Sequence, residues 1–145
     1  MGELTPVVPE DKELEALLGE AKVIAVVGLS SKPWRDSYEV GEYLQSKGYR
    51  IIPVNPRETE VLGERAYASL PDIPVDVRVD VVDVFRRAEE TPAVARDSVA
   101  IGAKALWLQD GIVNEEAARI ATDAGLDVVM GVCIRRTRKR LEGED

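Results

Sequence analysis

A doubly wound α/β fold, built on a parallel sheet of about five strands with helices on both faces, is what this sequence predicts. Two observations carry it. Short apolar runs alternate with amphipathic stretches of helical length, and the first run, Val23-Ile24-Ala25-Val26-Val27, opens directly onto a small, polar, basic loop from Gly28 to Ser37. Short continuous apolar runs suit strands buried on both faces, as parallel strands are. Strands separated by helices imply right-handed crossovers within one sheet. The 145 residues fit a single domain spanning residues 1–145 that buries roughly two-thirds of its unfolded surface.

Taken in order, residues 1–11 are expected to be flexible or extended, and residues 12–20 form a short amphipathic helix with Leu14, Leu17 and Leu18 at helical spacing. A strand covers 22–27. Asp36 followed by Glu39 has the spacing of a capping box, so a helix is expected from there to Lys47, stopped by Gly48. Residues 49–54 form the second strand, ended by Asn55-Pro56. Residues 57–74 read as a long connection with a short extra strand or turn, and 77–84 as the third strand. Thr91-Pro92 has the pattern of an N-cap with proline at the first helical position, opening a helix that ends at Gly102. Residues 104–108 make the fourth strand. Asn114 caps a helix closing at Gly125, 127–130 is the fifth strand, and 133–141 a last helix. The whole is Rossmann-like, without internal repeat or low-complexity tract.

Composition removes several function classes. The chain has no histidine and one cysteine. Ser-His and Cys-His nucleophile pairs and an imidazole base are therefore excluded, as are an internal disulfide and a Cys-rich zinc site. No apolar stretch approaches the ~20 residues that span a bilayer and no leader-like segment opens the chain, so a cytoplasmic protein without membrane contact is expected.

The candidate chemistry lies where the strands end, because open parallel sheets bind ligands beyond their carboxyl edge. Gly28 permits a sharp turn that exposes backbone amides to an anion, and the following helix would aim its positive end there. Lys32, Arg35, Arg57, Arg86 and Arg87 all fall on this edge of a chain with net charge −8. Yet only the first glycine of G-x-G-x-x-G is present, with Ser30 and Pro33 at the other two places. The second strand ends in Val54-Asn55-Pro56, with no carboxylate for a ribose until Glu58. There is no P-loop either. The pattern points to an anionic nucleotide-type ligand and away from a standard dinucleotide site.

Four motifs carry a closer resemblance: Gly28-Leu29-Ser30-Ser31-Lys32-Pro33-Trp34-Arg35-Asp36-Ser37, Ile52-Pro53-Val54-Asn55-Pro56, Asp83-Val84-Phe85-Arg86-Arg87, and Trp107-Leu108-Gln109-Asp110-Gly111. From about residue 14 to 141 the chain resembles the small stand-alone CoA-binding proteins, which are similar to the N-terminal domain of the succinyl-CoA synthetase α subunit. The resemblance implies that Gly28, Leu29, Ser30, Ser31 and Ser37 cradle the phosphates of coenzyme A, with Lys32 and Arg35 supplying charge. It implies that Val54, Asn55 and Pro56 flank the adenosine, that Val84, Phe85 and Arg86 line the opposite wall, and that Gln109 lies near the pantetheine path. The chain departs from its relatives at Gly131-Val132, where they carry Asp-Arg, and at Arg135-Arg136-Thr137, where they carry a histidine. The synthetase's phosphorylated histidine belongs to a second domain, so the resemblance implies CoA binding and no ligase activity.

Other residues have simpler expected roles. Cys133 is a small apolar residue opening the last helix, and Trp107 belongs to the core. Trp34 either covers the ligand or sits exposed in its loop. Asp80 and Asp83, three apart on a strand, face opposite sides and make a poor acid/base pair; one of them caps a neighbouring loop. The basic run from Arg135 to Arg140 pairs with the acidic surface or meets a partner subunit, and nucleic acid is not expected. The expected function is a module that binds CoA or an acyl-CoA, alone, with a protein partner or as a homo-oligomer. The alternatives are a subunit or remnant of a CoA-dependent ligase or acyl transferase, and an NAD(P)-binding redox sensor.

Overall fold

The computed structural model describes residues 6–144. Its strands are β1 (Val23–Val27), β2 (Arg50–Val54), β3 (Glu60–Val61), β4 (Glu64–Arg65), β5 (Val81–Val84), β6 (Ala105–Leu108) and β7 (Asp127–Met130). Its helices are α1 (Asp11–Glu20), α2 (Asp36–Ser46), α3 (Thr91–Ala100), α4 (Glu115–Asp123) and α5 (Ile134–Leu141). Five strands form one parallel sheet in the order β2-β1-β5-β6-β7. The chain winds outward from β1 to β2, returns across the sheet to β5, and continues to β7. The winding therefore reverses between β1 and β5.

Alternation along the strands divides the core into two layers. Ile24, Val26, Val81, Ala105, Trp107 and Val129 pack with Leu14, Leu44 and Ile134 beneath α1, α2 and α5. Ala25, Val27, Val82, Val84, Leu106 and Leu108 pack with Ala95, Ala117 and Ala121 beneath α3 and α4. Trp107 is fully buried, and its indole N–H donates to the Val132 carbonyl at 2.9 Å. No helix among the described residues is long and apolar enough to cross a membrane.

Several local expectations shift. β5 starts at Val81 rather than at residue 77, because Asp80 turns its carboxylate onto the N–H groups of Lys22 (2.8 Å) and Val23 (2.9 Å) at the start of β1. Asp80 is thus the loop-capping member of the aspartate pair. Asp36 already lies inside α2, with Arg35 in the cap position and no side-chain cap, so the expected capping box does not form. The turn is closed by backbone instead, Arg35 N–H donating to Lys32 O at 3.0 Å. Thr91 likewise sits one residue inside α3, its hydroxyl donating to Ala88 O of a preceding 3₁₀ turn. Asn114 does cap α4, accepting from Ala117 N–H at 2.9 Å. The long connection holds the β3–β4 hairpin and a 3₁₀ turn at Leu70–Asp72. Of the N-terminal segment, residues 1–5 lie outside the described residues. Val7 is extended and exchanges two 2.9 Å hydrogen bonds with Met130 on the edge of β7.

The two halves of the sheet meet at Gly28. Its N–H donates to Val54 O at 2.7 Å and its φ is +90°. A Cβ there would lie 2.5 Å from the carbonyl oxygen of Phe85, which is backbone that cannot yield. Gly28→Ala should therefore cost about 2–4 kcal/mol, combining left-handed strain with a backbone clash. Urea unfolding of the variant measures this, and a loss under about 0.5 kcal/mol would show that the junction can relax.

Candidate functional site

The carboxyl edge carries a cleft of about 880 Å³ around the loop that follows β1. Gly28, Ser30, Ser31, Lys32, Arg35, Ser37, Asn55 and Phe85 of the expected site line it. Trp34, 73% exposed, lines the same cleft. Lys32, Arg35 and Arg57 reach it without an ion-pair partner among the described residues. Arg86 and Arg87 differ, because both bind Glu90. Hydrogen bonds from Arg86 and then Arg87 hold the Glu90 carboxyl below its ordinary range.

The loop amides are largely committed. Ser30 N–H donates to Ser37 Oγ (3.0 Å), Lys32 N–H to Ser30 Oγ (3.1 Å) and Ser31 N–H to the Glu58 carboxylate (2.8 Å). Asn55 stitches β2 to the loop, its Nδ2 donating to Leu29 O at 3.1 Å. The amides of Asp36 and Ser37, in the first turn of α2, have no partner among the described residues. Glu58 escapes a motif reading, since the turn after β2 is what brings it to Ser31. It sits where the loop would meet an anion.

The remaining expected residues are distributed. Val54 and Arg86 line a cleft of about 290 Å³ against α3, on the other face of the sheet. Gln109 lines a third cleft of about 250 Å³, between α2 and α5, which shares Asp36 and Phe85 with the loop cleft. The side chains of Leu29 and Val84 are fully buried in the core, and Pro56 is exposed outside these clefts. Cys133 precedes α5, packs against the core and also lines the third cleft. Within the basic run of α5, Arg136 pairs with Asp110, Arg138 with Glu142 and Glu144, and Arg140 with Asp11, while Arg135 lines the third cleft.

Asp83 lies outside the clefts and was not expected near them. It is wholly buried on β5, where Gln109 Nε2 donates to its Oδ1 while Oδ2 has no partner. Burial pushes its carboxyl up to about 8, with the Gln109 hydrogen bond opposing only part of that rise. Among the described residues no group of three or more Asp, Glu, Cys or His could hold a metal. A separate opening of about 560 Å³ lies at the amino edge between α1 and β7. Glu13, Glu20 and Asp127 rim it, a poor setting for a phosphate.

A Rossmann-like sheet with a glycine turn at its winding reversal and unpaired cations beside a helix start is the arrangement in which open α/β sheets receive anionic ligands. Residues 22–137 match the model of the CoA binding domain family, and the chain belongs to that family. It is 44% identical over 127 residues to the uncharacterized protein YneT of Bacillus subtilis, covering 88% of this chain and 93% of that one. A hypothetical protein from Pyrococcus horikoshii shares 39% identity with a TM-score of 0.90, over 99% of this chain and 100% of the other. The α subunit of acetate–CoA ligase [ADP-forming] II from Pyrococcus furiosus is 42% identical over 65 residues, 44% of this chain and 14% of that subunit.

The raised carboxyl of Asp83 has a thermodynamic consequence. Between about pH 4 and pH 8 the native state retains a proton that the unfolded chain has released. Its contribution to stability is greatest below that window and is lost as pH rises through it. Asp83→Asn should therefore gain on the wild type by about 1.4 kcal/mol per pH unit at most across the window. Urea unfolding of both proteins at several pH values tests this, and a constant difference would place an ionised carboxylate in the core.

Proposed function

We propose that the chain binds coenzyme A or an acyl-CoA across the carboxyl edge of its sheet. The phosphates lie in the loop cleft, facing Lys32, Arg35 and Arg57 and the free amides of Asp36 and Ser37. The adenosine lies towards Val54-Asn55-Pro56, and the pantetheine arm runs past Phe85 to Gln109. The observation that carries this reading is the cluster of three unpaired cations in the 880 Å³ cleft of a chain with net charge −8. Cations left unpaired in so acidic a molecule favour an anionic ligand. Membership of the CoA binding domain family gives that ligand its class. Binding is the whole activity of the isolated chain, because it has no histidine and offers no nucleophile-base pair. A second reading, a subunit that needs a partner to act as a CoA ligase, draws on the similarity to the P. furiosus ligase subunit. The two separate on turnover: acyl-CoA consumed only when a partner is added favours the second.

Calorimetric titration tests the assignment. CoA should bind and raise the melting temperature by several degrees, as a ligand in hundredfold excess over its dissociation constant adds about 2.7 kcal/mol, whereas NAD should not. Lys32→Ala and Arg35→Ala should each cost about 1–3 kcal/mol of affinity, less at high salt. A larger shift with NAD, or full CoA affinity in both variants, would contradict the reading.

Glu58 supplies an opposite test. Its carboxylate now occupies the Ser31 amide, so it repels the phosphate that approaches. Glu58→Gln should tighten CoA by about 1 kcal/mol. A weaker complex would instead make Glu58 a residue the bound loop depends on.

A further inference from the structure

We propose that Asp83 is a positioning residue for ligand recognition. It orients the Gln109 amide so that Oε1 faces the cleft between α2 and α5 and accepts an amide N–H of the ligand's pantetheine arm. This rests on the CoA reading above and assigns a role to a residue outside the cleft.

Asp83 is costly where it lies. Asp83 pairs in register with Val26 on one side and Trp107 on the other, both in the apolar layer beneath α1, α2 and α5. A wholly buried acid with one unpartnered oxygen opposes folding, and an apolar side chain would fill the position without that penalty. Its one hydrogen-bond partner among the described residues is Gln109, which lies on β6's continuation two residues beyond Trp107 and so on the same face. A glutamine amide has nearly the same shape either way round, and only its partner decides whether oxygen or nitrogen points outward. Here Nε2 is committed to Asp83, whereas Oε1 has no partner among the described residues and is not among the sealed, unpartnered atoms. Gln109 belongs to the wall of the 250 Å³ cleft, alongside Phe85, Val40 and Cys133, and Oε1 is the amide atom left for a ligand there. An outward acceptor selects ligands that present a donor, and the pantetheine arm carries two amide N–H groups. At neutral pH Asp83 is a neutral acid whose carbonyl oxygen accepts from Gln109, which asparagine can imitate and valine cannot.

The experiment compares CoA with adenosine 3′,5′-bisphosphate, which lacks the pantetheine arm, by titration calorimetry on the wild type, Asp83→Val, Asp83→Asn and Gln109→Met. Melting curves report folding. Asp83→Val should lose roughly tenfold of CoA affinity, bind the bisphosphate within about twofold of the wild type, and melt no lower. Gln109→Met should show the same selective loss, so the test survives if the valine variant does not fold. Asp83→Asn should keep the wild-type preference for CoA. An unchanged preference in Asp83→Val or Gln109→Met, or a loss in Asp83→Asn as large as in Asp83→Val, would overturn the assignment. A wild type that binds both ligands equally would overturn it while leaving the phosphate site intact. A wild type that binds neither would overturn the CoA reading itself.

Discussion

The carbonyl of Phe85 and the backbone of Gly28 approach so closely that no side chain fits between them. That contact joins the strand from which the chain winds outward to the strand where it returns. It places the loop after β1, the end of β2 and the end of β5 around one opening. Gly28 also accepts a left-handed backbone and donates to Val54 O, so one residue terminates two strand pairings. Everything the candidate site contains is measured from there. Phe85 divides the loop cleft from the cleft of Gln109 because its backbone is held to Val27 at 2.8 Å, one residue before the glycine.

Charge is distributed with the same economy. Three basic residues of α5, Arg136, Arg138 and Arg140, which look in isolation like part of a phosphate-binding run, are matched to Asp110, Glu142, Glu144 and Asp11. Arg86 and Arg87 share Glu90. Among the described residues Lys32, Arg35 and Arg57 have no ion pair, three cations from two loops around one cleft, and Arg135, likewise without an ion pair, lines the neighbouring cleft of Gln109. Glu58 tempers that field by holding the Ser31 amide, so the loop is ordered before any ligand arrives. A preorganised loop loses less entropy on binding than one that must first fold.

The strands were readable because buried parallel strands are continuous apolar runs, and all five lie where such runs occur. Helix starts at Asp36 and Thr91 were misplaced by one residue. Capping depends on the backbone angles of the preceding turn, and residue type alone does not set them. Four motifs at strand ends were enough to reach the CoA binding domain family, which spans residues 22–137. Glu58 and Asp83 were not read as site residues for a common reason: each acts on a residue distant in sequence, Ser31 and Gln109, and the contact exists only once β2 and β6 are placed. Asp80 caps the start of β1, as one of the aspartate pair was expected to do, whereas the partner of Asp83 lies across the sheet. The alternation that puts Asp83, Phe85 and Gln109 on one face was present in the sequence, but the adjacency of β5 and β6 was not.

On the proposed function, the ligand lies on the carboxyl edge of the sheet, astride the Gly28 junction. A titration of CoA into isotope-labelled protein, followed through backbone amide resonances, tests it most directly. The shifts should concentrate at Gly28 to Ser37, Asn55 to Glu58, Phe85 and Gln109, with the Asp36 and Ser37 amides among the largest. Shifts centred instead on Leu17, Leu126 and Val128, at the opening on the opposite edge, would contradict the account.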